Sequence, residues 1–128
     1  MAKVLVVDDA RIMRINIGNI LKSRGHEVIA EAENGYEAIE MYRKHEPDIV
    51  TMDITMPDTN NISDGIEAVK AIKGEFPDAK IIMITSHGEE EKVITAIQNG
   101  ASNYLLKPIQ VKKLEEVFEK TLNKQLAK

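Results

Sequence analysis

The sequence predicts an α/β fold in which five parallel strands form one sheet with helices on both faces. Three observations predict it. Short apolar, largely β-branched runs recur along the chain and are apolar at consecutive positions, the pattern of strands buried on both sides. Each run is followed by a longer segment with apolar residues at helical spacing. This strict alternation of strand and helix calls for crossover connections and hence parallel neighbours.

The elements follow in order. Lys3 to Val7 (KVLVV) is a buried strand that ends in Asp8-Asp9. From Arg11 to Arg24, Met13, Ile17, Ile20 and Leu21 share one helical face, and Gly25 stops the helix. Glu27 to Glu31 is a shorter strand, after which Asn34 caps the next helix with Glu37 at capping-box spacing. Ala38, Ile39 and Tyr42 form that helix's inner face, and Pro47 lies just beyond its end. Ile49 to Met52 is a strand running into Asp53, followed by a polar loop. Asp64 and Glu67 repeat the capping-box spacing ahead of a stripe of Ile66, Val69 and Ile72, and that helix ends before Pro77. Lys80 to Ile84 is a strand leading into Thr85-Ser86. Glu89 to Asn99 is a helix with Val93 and Ile97 inward, acids in its first turn and Gly100 at its end. Ser102 to Leu106 is the last strand, ending in Lys107-Pro108. Val111 to about Leu126 is an amphipathic helix with Leu114, Val117, Phe118 and Leu122 on one face, a pattern that fits packing on the sheet.

Composition narrows the function. A chain of 128 residues with 43% hydrophobic and 30% charged residues has the make-up of one soluble globular domain, expected to span residues 1–128 with no output domain attached. A net charge of −4 without a basic run argues against nucleic acid, and 4% aromatics argue against base-stacking platforms. No apolar stretch approaches the ~18 residues of a membrane span, so no membrane insertion is expected. The absence of cysteine and of a signal-peptide pattern points to the cytoplasm.

In an open α/β sheet the ligand site lies outside the carboxyl ends of the strands. Here those ends carry Asp8-Asp9, Asp53, Thr85-Ser86 and Lys107. Any one of them alone reads as a cap or a turn residue; Ser86, for instance, stands at capping-box spacing from Glu89. Together they converge on one edge. Carboxylates gathered there repel, by about 4 kcal/mol for two unit charges ~4 Å apart at an effective dielectric near 20. They need a compensating cation or protons. Lys107 supplies one charge, and an all-oxygen set without His or Cys favours Mg²⁺ over Zn²⁺. A site of this make-up suits phosphate chemistry.

At these residues the chain resembles the receiver domain of two-component response regulators over nearly its whole length. The matching stretches are VLVVDD (Val4 to Asp9), DIVTMDITMP (Asp48 to Pro57), DGIEAVKAI (Asp64 to Ile72), IIMITS (Ile81 to Ser86) and GASNYLLKP (Gly100 to Pro108). The similarity is greatest to stand-alone chemotaxis receivers. It implies a flavodoxin-like, doubly wound sheet of order 2-1-3-4-5. It implies that Asp53 accepts a phosphoryl group from a sensor histidine kinase. Mg²⁺ would be held by Asp8, Asp9, Asp53 and the Thr55 backbone carbonyl. Lys107 would pair with the phosphoryl oxygens, and the Thr85 hydroxyl would move toward them as Tyr104 turns inward. The output would be a phosphorylation-dependent protein target such as a flagellar switch, an adaptor or a phosphatase, bound by a monomer. Thr55 and His87 would adjust the lifetime of the acyl phosphate, and Lys107-Pro108 would be a cis peptide.

Two departures from the family stand out. The loop between Asp53 and Asp64, including residues 58–63, is about four residues longer than usual, which places Asp58 and Asn60 within potential reach of the metal. Ile109 stands where an aromatic residue often follows Lys-Pro, which alters the expected output surface. Ile12 and Ile15 exceed what the first helix's inner face needs and read as a docking patch. His26 and His45 read as solvated. Two other readings remain open: a phosphorelay intermediate passing phosphate to a histidine phosphotransfer protein, and a small Mg²⁺-dependent phosphohydrolase. Against the second, there is no second acid/base carboxylate spaced after Asp53.

Overall fold

The computed structural model describes residues 1–56, 62 and 64–123. Its elements are β1 (Lys3–Val7), α1 (Arg11–Ser23), β2 (Glu27–Ala32), α2 (Gly35–His45), β3 (Ile49–Asp53), α3 (Gly65–Glu75), β4 (Ile81–Thr85), α4 (Glu90–Gln98), β5 (Asn103–Leu106) and α5 (Val111–Asn123). The strands pair in parallel in the order β2-β1-β3-β4-β5, as expected. Most boundaries differ from the sequence reading by a residue or so, the ordinary scatter where helices and strands fray.

Alternate strand residues face opposite sides and build two cores. Leu5, Val7, Val50, Met52, Ile81 and Met83 pack with Ala38, Ile39 and Tyr42 of α2, Ala68, Val69 and Ile72 of α3, and Val93 and Ala96 of α4. Val4, Val6, Ile49, Ile82, Ile84 and Leu105 pack with Ile17 and Leu21 of α1 and Leu114, Val117 and Phe118 of α5. The sheet is therefore wound on both faces, and β1, β3 and β4 are buried along their apolar length, which is why their sequences do not alternate.

Local chemistry sets the helix ends. Asn34 accepts the Glu37 N–H at 2.8 Å, and Asp64 accepts those of Ile66 and Glu67 at 3.0 and 3.1 Å. The first box is offset by one residue, because Glu37 reaches back to the Glu33 N–H and not to that of Asn34. Gly25 and Gly100 end α1 and α4 at φ of 83° and 112°, a left-handed conformation that suits glycine.

Two expectations need correction. Ile97 is 41% exposed; α4 turns Ala96 inward beside Val93 instead, because a short helix on a close-packed sheet admits a small side chain there. His26 is half-buried: its Nδ1 accepts the Ala2 N–H at 3.0 Å and its ring lies 5.1 Å from that of Phe118. Ile109 is half-buried against the second core. Asp58 and Asn60 lie outside the described residues.

Candidate functional site

Strand register builds the site. Val7 lies opposite Met52, so the next residue on each strand, Asp8 and Asp53, stand side by side where the apolar runs stop. Asp53 is opposite Ile84, which places Thr85 one step further along β4. Thr85 is opposite Leu106, and Lys107 follows. Backbone bonds carry the ladder past the strand ends: Asp8 N–H to Ala32 O at 3.0 Å, Ile54 N–H to Ile84 O at 3.1 Å, and Lys107 N–H to Thr85 O at 2.7 Å. The Lys107–Pro108 peptide is cis.

The carboxylates cluster tightly. Asp8, Asp9 and Asp53 each offer an oxygen within 4.8 Å of the others, with Asp8 and Asp53 buried and Asp9 exposed. Lys107 Nζ lies 3.5 Å from both Asp8 Oδ2 and Asp53 Oδ1. That single ammonium does not balance the cluster. Burial foremost, then the neighbouring Asp8, raise the Asp53 carboxyl to about 7 against the pull of Lys107. Asp8 Oδ1 accepts the Ala10 N–H at 2.9 Å, whereas the buried Asp8 Oδ2 has no hydrogen-bond partner. A buried carboxylate oxygen that has an ion pair but no hydrogen bond, beside two further acids and with no nitrogen or sulfur ligand among them, belongs to a donor set suited to Mg²⁺.

Other residues hold this edge in place. Arg14 Nη1 donates to the Asp8 carbonyl at 2.7 Å while its Nε donates to Glu31 at 2.9 Å, fastening the end of β1 to α1 and β2. Gly65 donates its N–H to Ile54 O at 2.8 Å, and a Cβ there would run into the Asp53 carbonyl group. The start of α3 is thus pressed against the end of β3.

Thr85 is buried, and its hydroxyl donates to Glu89 Oε1 at 3.0 Å. Glu89 Oε2 accepts the hydroxyl of exposed Thr55 at 2.5 Å, and Oε1 also accepts the Ser86 N–H at 2.9 Å. These donors, Thr55 first, hold the Glu89 carboxyl below its ordinary value. Sequence reading missed both Arg14 and Glu89. Glu89 gave a faint signal through its spacing from Ser86, and its bond to the Ser86 N–H is one half of that box, but α4 begins only at Glu90, so the acid closes the strand end and not its own helix.

Tyr104 stands apart from the carboxylates, 44% exposed on β5. It lines a groove of about 390 Å³ together with Thr85, His87, Ile94, Ile97 and Leu106. His87 lies in that groove wall. Ile12 and Ile15 of α1 are exposed. Among the described residues, no helix is long and apolar enough to cross a membrane.

Comparison with known proteins agrees with this architecture. The family profile described as "Response regulator receiver domain" matches residues 4–119. The chain is 50% identical over 121 residues to the chemotaxis protein CheY of Bacillus subtilis, covering 94% of this chain and 98% of that protein. It is 46% identical over 118 residues to the CheY of Thermotoga maritima, covering 92% and 95%. Among solved structures, a response regulator receiver domain protein of Clostridium thermocellum superposes with a TM-score of 0.89 at 29% identity, covering 99% of this chain and 98% of that one. A crystal structure described as the CheX-CheY-BeF3-Mg complex of Borrelia burgdorferi matches with a TM-score of 0.83 at 34% identity, covering 91% and 85%.

Proposed function

The chain belongs to the family of response regulator receiver domains in two-component signalling, and from that membership we propose that Asp53 accepts a phosphoryl group from the phosphohistidine of a sensor kinase. Receivers of this kind are signalling proteins and not classical enzymes. The observation that carries the assignment is Lys107 held 3.5 Å from an oxygen of each buried carboxylate, with Asp53 at the end of the central strand. An Asp53 oxygen bonds to phosphorus, the P–N bond of the donor breaks, and the imidazole leaves. The Lys107 ammonium is placed to neutralise the incoming oxygens. Asp8, Asp9, Asp53 and the Thr55 carbonyl would hold Mg²⁺, which when bound supplies charge neutralisation and orientation for the phosphoryl group. The description of the Borrelia protein with BeF3 and Mg supports both the ion and a phosphoryl mimic at such a site.

On phosphorylation the Thr85 hydroxyl turns to the new oxygens and Tyr104 follows inward, remodelling the groove beside it; a local charge thus biases a two-state surface. The names of the relatives support a role in chemotaxis, with a target comparable to CheX or a flagellar switch. The exposed Ile12 and Ile15 suit kinase docking, and Thr55 and His87 set the lifetime of the acyl phosphate. The test is labelling with radioactive acetyl phosphate or phosphoramidate. Incorporation should require Mg²⁺ and vanish in Asp53→Asn, and label persisting in that variant would refute Asp53 as acceptor.

A further inference from the structure

We propose that Glu89 is a positioning residue that holds the receiver in its unphosphorylated state by occupying the Thr85 hydroxyl. The inference rests on the phosphoacceptor reading of Asp53. Glu89 is the N-cap residue of α4 but makes no side-chain bond to its own helix. Its carboxylate turns back to the sheet edge and accepts from Thr85, Ser86 and Thr55, at 3.0, 2.9 and 2.5 Å. One side chain therefore ties the loop leaving β3, which carries the acceptor, to the end of β4, which carries the switch hydroxyl.

Proton counting makes the contact consequential. A threonine hydroxyl has one hydrogen to give, so donation to Glu89 and donation to a phosphoryl oxygen exclude each other. A phosphoryl group has only acceptor oxygens to offer and must draw Thr85 away. That removes one of the donors satisfying an ionised carboxylate, and bonds to a charged partner are the stronger kind. The active arrangement is disfavoured by that difference, and the apparent affinity for anything that selects it falls with the population of that arrangement.

The experiment is a titration of the full chain with beryllofluoride in excess Mg²⁺, followed by amide NMR shifts near Thr85 and Lys107. Glu89→Ala should bind about 3- to 10-fold more tightly than the unsubstituted protein, as a partly exposed contact of this kind allows. Glu89→Gln, which keeps the shape and one acceptor oxygen, should fall between them and serves if the alanine variant folds poorly. In a Thr85→Ala background the gain from Glu89→Ala should disappear. Unchanged or weaker binding in both Glu89 variants would overturn the proposal. An equal gain without the Thr85 hydroxyl would do the same, because it would mean simple removal of negative charge. If the unsubstituted protein binds beryllofluoride no better than Asp53→Asn, the acceptor reading itself fails and takes this inference with it.

Discussion

At the amino edge of the sheet, polar side chains close the strand starts. Asp48 Oδ2 accepts the Lys3 N–H at 2.8 Å, His26 Nδ1 accepts that of Ala2 at 3.0 Å, and Ser102 Oγ accepts that of Ile81 at 3.3 Å. At the carboxyl edge of the same strands, two buried carboxylates share one ammonium, and a buried Asp8 oxygen has no hydrogen-bond partner. The same residue type, aspartate at a strand terminus, serves as an anchor at one edge and as an incompletely compensated charge at the other. Stability is concentrated where interactions are complete, and chemistry where they are left open.

The strongest way to break this contrast is to remove charge from the open edge. Asp53→Asn should stabilise the metal-free protein at pH 8 by about 2–4 kcal/mol, read from denaturant midpoints. The sign follows from the raised carboxyl. Its ordinary value is 3.8 and its folded value is about 7, so between these the folded state binds the extra proton. Stability from this group is complete below the lower value and is lost as pH rises through the upper one. Mg²⁺ should restore stability to the unsubstituted protein by binding the folded state, and do much less for Asp53→Asn. A variant no more stable than its parent at pH 8 would show the edge to be unstrained.

Gly65→Ala tests how that edge is held. The added methyl meets the Asp53 carbonyl group, which is backbone and cannot swing aside. Thermal unfolding should show a loss of about 1–3 kcal/mol, together with slower phosphorylation because Asp53 is displaced. A matching alanine at Gly74, where a Cβ would meet nothing within 4 Å, should be neutral or stabilising as helix propensity dictates.

How much of this was legible beforehand follows from range of interaction. The buried strands and the convergence of Asp8, Asp53, Thr85 and Lys107 could be read because periodicity and parallel connectivity are written locally. The strand order came with the family resemblance, because spacing alone does not choose it. Glu89, Arg14 and His26 escaped because each acts through a fold-dependent partner: Thr55 for Glu89, Glu31 for Arg14, Ala2 and Phe118 for His26. Ile97 was misplaced because helical spacing gives a face but not its width.

At the closed edge effects should be smaller and leave the chemistry alone. Asp48→Ala removes the acceptor for the Lys3 N–H in an exposed setting. It should cost about 0.5–1.5 kcal/mol in a denaturant titration, with acetyl phosphate labelling unchanged. Labelling that fell in step with stability would mean that the two edges are coupled and not independent.

The smallest effect is the acid response of His26, which runs opposite to that of Asp53. Its Nδ1 accepts a hydrogen bond, so the folded protein needs that nitrogen unprotonated. Burial foremost, then the nearby terminal ammonium, hold its value below 6.5, with Glu115 pulling the other way. The unfolded chain therefore takes up the proton first as pH falls. Stability from this group is present above 6.5, is lost as pH falls through it, and levels off below the folded value. The loss should stay below about 1 kcal/mol, because the ring is partly solvated. Measured in an Asp53→Asn background to silence the opposing edge, midpoints at pH 7.5 and 5.5 should differ in the direction of acid destabilisation. His26→Phe, which keeps a ring against Phe118 but cannot titrate, should flatten that difference, and a slope that survived the substitution would assign the acid sensitivity to another group.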